Sequence, residues 1–290
     1  MKTKYFFVLV LLLHCLQPFA QGSQGEIQKI VSETVPNAYF PFGQPLKLVK
    51  QQDRSPKKVF VLGVYASAVH ADWYSADGKR LCQALAVASE PEIFWNGENA
   101  AEIISKITVP SGAGQLKPTT YNGPSGKTLD ELYLAPLGFS RSDAWLCDLV
   151  PHSYMNKGQK TMINTKYNPV REKYKLPIAS IPEKPRIFID ANRLNEIVAE
   201  LEASRADIII LLGDDPINCF LSKVSDCKKT KLRDFGKNTQ TYGLEHSIQI
   251  NGKPYTVIPL AHVRQGGGLG MNDPEWERLH INWVKEKKHD

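Results

Sequence analysis

Cysteine is scarce in this chain: five occur in 290 residues, and no two stand as Cys-x-x-Cys. That excludes the usual zinc and iron–sulfur ligand spacings. Cys82, Cys147, Cys219 and Cys227 lie beyond the first segment and are too few for a disulfide scaffold in so long a chain. Three sit among apolar neighbours as small core residues, and Cys219 and Cys227 are close enough in sequence to bridge a loop. Charge of one sign is not abundant either. Lys and Arg outnumber Asp and Glu by 36 to 30, a net +6 with a pI near 8.9, which permits a polyanionic partner without requiring one. No complete phosphate-binding loop is present. Gly123-Pro124-Ser125-Gly126-Lys127-Thr128 ends like one, but Tyr121 stands at the leading glycine and no apolar strand precedes it. Gly266-Gly267-Gly268-Leu269-Gly270 opens no dinucleotide unit and reads as a flexible turn. Internal repeats are absent.

What is present is an ordinary globular composition, 42% hydrophobic and 23% charged, sufficient for a real core. The start of the chain reads differently. Lys2 and Lys4 precede an apolar run from Tyr5 to Leu16, and Ala20-Gln21-Gly22 supplies small residues. These are the parts of a secretory signal, and the run is short for a membrane span. Residues 1–22 are therefore expected to be a signal peptide or a non-native extension, with a buried first helix as the alternative. Residues 23–290 are expected to form one domain.

Four short apolar runs read as buried strands: Val59–Gly63, Ala144–Val150, Asp207–Leu212 and Thr256–Leu260. Ala191–Ser204 carries Leu194, Ile197, Val198 and Leu201 on one side and reads as an amphipathic helix. Helical stretches are also expected within 91–107, over 128–137 (closed by Gly138) and over 274–288. Gly63–Trp73, 108–127 and 156–186 read as loops, and 223–240 as a basic insertion with Lys228, Lys229, Lys231, Arg233 and Lys237. Strands alternating with helices predict an α/β fold: a three-layer α/β/α sandwich around a mostly parallel four-stranded sheet. Ligands bind such sheets beyond the carboxyl ends of the strands, where Gly63, Asp148, Gly213 and His262 lie.

The order of these strand-end features resembles the uracil-DNA glycosylase superfamily. Gly63-Val64-Tyr65-Ala66-Ser67 stands where that family carries its first Gly-x-x-Pro-Gly-like loop. Ile93-Phe94-Trp95-Asn96-Gly97 falls where an aromatic stacks on the flipped base. Leu129–Leu132 and Gly138–Trp145 match the helix and turn before the second strand, and Cys147-Asp148 replaces a Thr-Asn pair at its end. Ala206–Gly213 matches the third strand. Pro259-Leu260-Ala261-His262-Val263-Arg264 stands at the family's His-Pro-Ser motif.

The resemblance implies a DNA glycosylase that extrudes a damaged or deaminated base, such as uracil, into a closed pocket. Phe94 or Trp95 would stack on the base, for about 1–3 kcal/mol, and Asp148 would read its edge. His262 would donate to the base oxygen as charge develops there. Arg264, Lys228, Lys229 and Lys231 would contact phosphates, and Leu269 or Met271 would wedge into the stack. Neither metal nor organic cofactor is implied, and the expected protein is a monomer with DNA as partner and no membrane contact once the signal is removed. The family implies a cytoplasmic location, whereas the signal-like start implies export.

Two positions depart from the family pattern. Residues 64–67 offer no Asp or Asn to position the attacking water, leaving Ser67 or a backbone carbonyl, both weak bases. An ionised Asp148 would be acceptor-only, whereas uracil needs a donor beside an acceptor. A protonated Asp148 would regain the donor. Each residue also has a plainer role: His262 as a surface histidine, Phe94 and Trp95 as core, and Asp148 as a loop cap. The alternative functions are a nucleic-acid or nucleobase binding module that no longer cleaves, and an exported protein of unrelated activity.

Overall fold

The computed structural model describes residues 34–270 and 273–288. The expected signal segment and Met271 lie outside them. The chain is mixed α/β, built on a mostly parallel five-stranded sheet. Its strands are β3 (Val59–Tyr65), β7 (Ala144–Val150), β8 (Ile208–Leu212), β9 (His246–Ile250) and β10 (Lys253–Leu260), in the order β7-β3-β8-β10-β9. The first four in that order run parallel, and only the edge strand β9 is antiparallel. The four parallel strands are the continuous apolar runs of the sequence, buried on both faces as parallel strands must be. The sheet has five strands rather than four. β9, HSIQI, alternates half-exposed polar with buried apolar residues, because it covers an edge and packs on one face only.

Taken in chain order, the parallel strands lie 2-1-3-4, so connections diverge between β3 and β8, and the carboxyl ends of those strands are where such a sheet places its ligand crevice. Helix α5 (Ala191–Ser204) has the expected bounds, an Asp190 N-cap accepting from Arg193 N, and Ile197 and Leu201 buried. It covers the face to which Cys147 points, since Arg193 Nη2 lies 3.4 Å from Cys147 Sγ. The four cysteines among the described residues are free thiols, Cys219 and Cys227 included.

Several segments expected to be loops are ordered elements. β4 (Ala68–Tyr74), β5 (Arg80–Ser89) and β6 (Gln115–Pro118) form an antiparallel sheet in the order β5-β4-β6. Val69, Ala71 and Trp73 are buried in alternation with His70, Asp72 and Tyr74, the period of two that marks a half-buried strand. β1 (Thr34–Tyr39) and β2 (Pro45–Lys47) make a further pair. Within 91–107 only α1 (Ala100–Ser105) is helical, and α2 begins earlier than expected, at Pro124–Leu129, continuing as a wound segment to Leu137. Gly138 closes it at φ 74°, in the left-handed region glycine favours. The excursion 156–186 holds α3 (Lys157–Met162) and α4 (Asn168–Tyr174), joined by a wider helical turn. Its Ile163 and Tyr167 are buried against the β4–β5 sheet, so tertiary packing supplies the helix that weak periodicity concealed. Among the described residues no helix is long and apolar enough to cross a membrane.

Candidate functional site

Gly63 is paired in register with Asp148 across the parallel β3–β7 ladder, so both face the same side of the sheet. A Cβ on Gly63 would overlap Asp148 Oδ1 and lie 2.7 Å from Phe94 Cζ. Glycine is needed here because an aspartate and a phenyl ring converge on its α-carbon. Phe94 adopts φ 51°, a left-handed backbone that costs a bulky residue of order 1–3 kcal/mol. The Arg141 guanidinium holds it there, donating to Phe94 O at 2.7 Å and Ile93 O at 3.3 Å, with Asp130 3.1 Å away. Gly126 in α2 packs directly on Phe94 O, which is why the abortive phosphate-loop motif carries that glycine.

Asp148 is 2% exposed, and its Oδ1 makes no hydrogen bond within the protein. Its backbone carbonyl accepts from Arg193 Nη2 at 2.7 Å, fixing the strand end from the opposite face. Burial pushes the Asp148 carboxyl up to about 7; nearby Arg193 opposes this and Glu200 adds to it. The group is therefore poised between a protonated form, with a donor and an acceptor, and an acceptor-only carboxylate. A buried polar atom without a partner costs about 1–3 kcal/mol, so Oδ1 is a place where a ligand donor or acceptor would be compensated.

On the other side of the crevice, Gly213 follows β8 and His262 follows β10. A Cβ on Gly213 would meet His262 Cβ at 3.3 Å. His262 caps the short helix α6 (Val263–Gly266), its Nδ1 accepting from Arg264 N at 3.3 Å. Burial, with Arg264 and Lys184 nearby, pushes the imidazole down to about 4. It is neutral at ordinary pH, and with Nδ1 accepting, the ring hydrogen resides on Nε2. Strands stand about 4.8 Å apart, so the β7 and β10 ends are separated by roughly 14 Å of sheet edge.

Glu90 escaped sequence reasoning. It follows β5, is 6% exposed, and accepts from Ser67 N at 2.9 Å. Burial first, then the neighbouring Asp148 charge, holds its carboxyl well above the usual range. A charged residue ending an apolar run was its only signal, and no motif marks it. Ser67 is exposed at the mouth, and its carbonyl accepts from Ser153 Oγ, tying the β3 loop to the segment after β7. Tyr65 is half-buried, its ring meeting Tyr154 edge-on at 5.6 Å.

Other expected positions fall elsewhere. Val64 and Ala66 are buried in the main core, because they alternate with Gly63 and Tyr65 along the strand. Trp95 is also core: it packs with Trp73 and Ile104 in the second sheet's cluster and donates its indole N–H to Glu98 O at 3.0 Å. Of the two candidate stacking rings, Phe94 is the one that packs against Gly63, beside Asp148. Arg264 is exposed and folds back, Nε donating to Leu269 O at 3.3 Å, with Leu269 half-buried beneath. Lys228 and Lys231 are exposed, whereas Lys229 lies 4.3 Å over the Phe235 ring. Leu232 N donates to Asp214 Oδ1 at 2.8 Å, which moors the basic loop beside the carboxyl end of β8. Among the described residues no cluster of three or more His, Cys, Asp or Glu could hold a metal ion. In comparisons with known proteins, no family model and no curated relative matches the chain.

Proposed function

We propose that this chain is a divergent member of the uracil-DNA glycosylase superfamily, a three-layer sandwich that removes a damaged or deaminated base from DNA. The observation that carries the reading is Asp148: a buried carboxyl with an unpartnered oxygen, packed with the Phe94 ring against the bare α-carbon of Gly63. In its protonated form it offers an O–H and a C=O side by side, the complement of uracil's carbonyl and N3–H. Phe94 supplies the stacking face. His262, neutral with hydrogen on Nε2, donates to the carbonyl oxygen on which charge accumulates as the N-glycosyl bond breaks. Glu90, hydrogen-bonded to the first loop, is the carboxyl available to orient the attacking water, which residues 64–67 themselves lack. Lys228, Lys231 and Arg264 contribute positive charge at the rim for phosphates.

One observation favours the alternative, a nucleic-acid or nucleobase binding module that does not cleave. Burial pushes the Glu90 carboxyl well above its ordinary range, and a carboxyl that holds its proton is no base. The deciding experiment incubates the protein with single-lesion oligonucleotides and scores abasic sites by alkali. Abasic product on uracil or a related base supports the enzyme. Tight binding of the same oligonucleotides without any abasic product supports the module.

A further inference from the structure

Ala261 separates the last strand from His262, and its backbone has no strand to bond to. The ladder from β8 ends where Gly213 N donates to Leu260 O at 2.8 Å, and pairing with β9 stops at Val257 and His246. Two buried phenols take over. Tyr242 Oη accepts from Ala261 N at 2.9 Å, and Tyr133 Oη donates to Ala261 O at 2.9 Å. Because Tyr242 Oη receives the amide hydrogen, its own hydrogen is free to go to His280 Nδ1, 2.8 Å away. His280 Nε2 then carries the ring hydrogen and donates to Leu132 O at 3.0 Å. Tyr133 stacks on the His280 ring at 4.0 Å between centroids. The chain of bonds runs one way and leaves no member unpaired.

The turn after His262 rests on this same cluster. A Cβ on Gly266 would overlap Tyr133 Oη and lie 3.0 Å from His280 Cγ. The groups come from the helical segment after α2, the turn before β9, and α7 (Pro274–Lys287). Apolar side chains would fill this volume equally well. What they would lack is direction: a fully satisfied polar network admits one orientation of the peptide it holds.

We propose that Tyr133, Tyr242 and His280 are positioning residues: they clamp both backbone groups of Ala261 and thereby set His262 over the crevice, touching no substrate themselves. This rests on the reading of His262 as the donor to the leaving base. Ring misplacement of an ångström is enough to slow chemistry by up to a hundredfold, and loss of one phenol that leaves its partner in place is expected to slow it by about tenfold.

The test compares the parent protein with Tyr242→Phe, Tyr133→Phe, His262→Ala and the double variant Tyr242→Phe/His262→Ala. Single-turnover excision of uracil from a duplex and affinity for that duplex are measured, and histidine ring resonances are recorded by 15N NMR. Each phenol variant is expected to excise about tenfold more slowly with unchanged affinity and shifted His262 resonances. Tyr242→Phe should add nothing once His262 is gone. Full-rate excision in both phenol variants, independent effects in the double variant, or unmoved His262 resonances would overturn the proposal. If Tyr242→Phe does not fold, Tyr133→Phe decides. If the parent excises no base, the glycosylase reading falls by itself, and the resonances decide whether the network sets His262.

Discussion

Replacing Asp148 by Asn should make the protein more stable at alkaline pH, by an amount that can be worked out beforehand. In the unfolded chain this carboxyl titrates at its ordinary 3.8, and in the folded protein at about 7. Its folded-state value is raised, so its protonated form is the one compatible with burial. The folded protein binds the extra proton throughout the interval, and stability falls as pH climbs from about 4 to about 7. The total is the difference of about three units at 1.36 kcal/mol each, about 4 kcal/mol. Asn has nearly the same shape and nothing to ionise. Against this, its amide would leave one buried donor unpaired, a cost of about 1–3 kcal/mol. The electrostatic gain is the larger, so Asp148→Asn should be the more stable protein above pH 7 by about 1–3 kcal/mol, and no more stable near pH 4. Urea unfolding of both proteins, from pH 4 to pH 9, reads the difference directly. Parallel curves, or a variant less stable than the parent at pH 8, would refute the claim that burial holds this carboxyl protonated.

Gly63→Ala forces a methyl group against Asp148 Oδ1 and the Phe94 ring. The expected loss is about 1–3 kcal/mol by denaturant unfolding, together with weakened binding of uracil-containing oligonucleotides. His262→Ala should slow base excision by about two to three powers of ten, the usual cost of one oxyanion-type donor, while duplex affinity measured by anisotropy stays within a few-fold. Exchanging Lys228, Lys229 and Lys231 for Gln should weaken duplex binding and flatten its salt dependence by up to three ion equivalents. Lys229 should contribute least, since its ammonium already lies over Phe235.

Much of the central sheet was legible in the sequence because parallel strands are buried on both faces, so β3, β7, β8 and β10 are largely apolar runs, interrupted by Asp148 in β7 and polar at the start of β10. α5 was legible to the residue from its 3.6-residue apolar stripe. β4 was hidden for a different reason. It alternates, and Gly63 through Trp73 reads as a loop if only continuous runs are sought. β9 alternates too, and its polar half faces outward at the sheet edge. The candidate site was legible where it lies at strand ends, as Gly63, Asp148 and His262 do. Adjacent residues are not equivalent, however. Phe94 is held against Gly63 by Arg141 from 47 positions away, and Trp95 turns into another core, so no local pattern distinguishes them. Glu90 and the pair Tyr133 and His280 belong to no motif: only the tertiary fold brings them to the crevice or beneath it.

The central claim is that a protonated Asp148 reads the base. His262 stays neutral above about pH 4 and Glu90 is common to both proteins, so between pH 6 and 9 the difference between the parent and Asp148→Asn should follow Asp148. Alkali-revealed cleavage of a uracil-containing duplex, measured across that range for the parent and Asp148→Asn, tests this directly. The parent should lose excision about tenfold per pH unit above 7, while Asp148→Asn holds its rate and overtakes the parent at pH 8. A variant that cuts no better than the parent at pH 8, or a parent that leaves no abasic site at any pH, would contradict it.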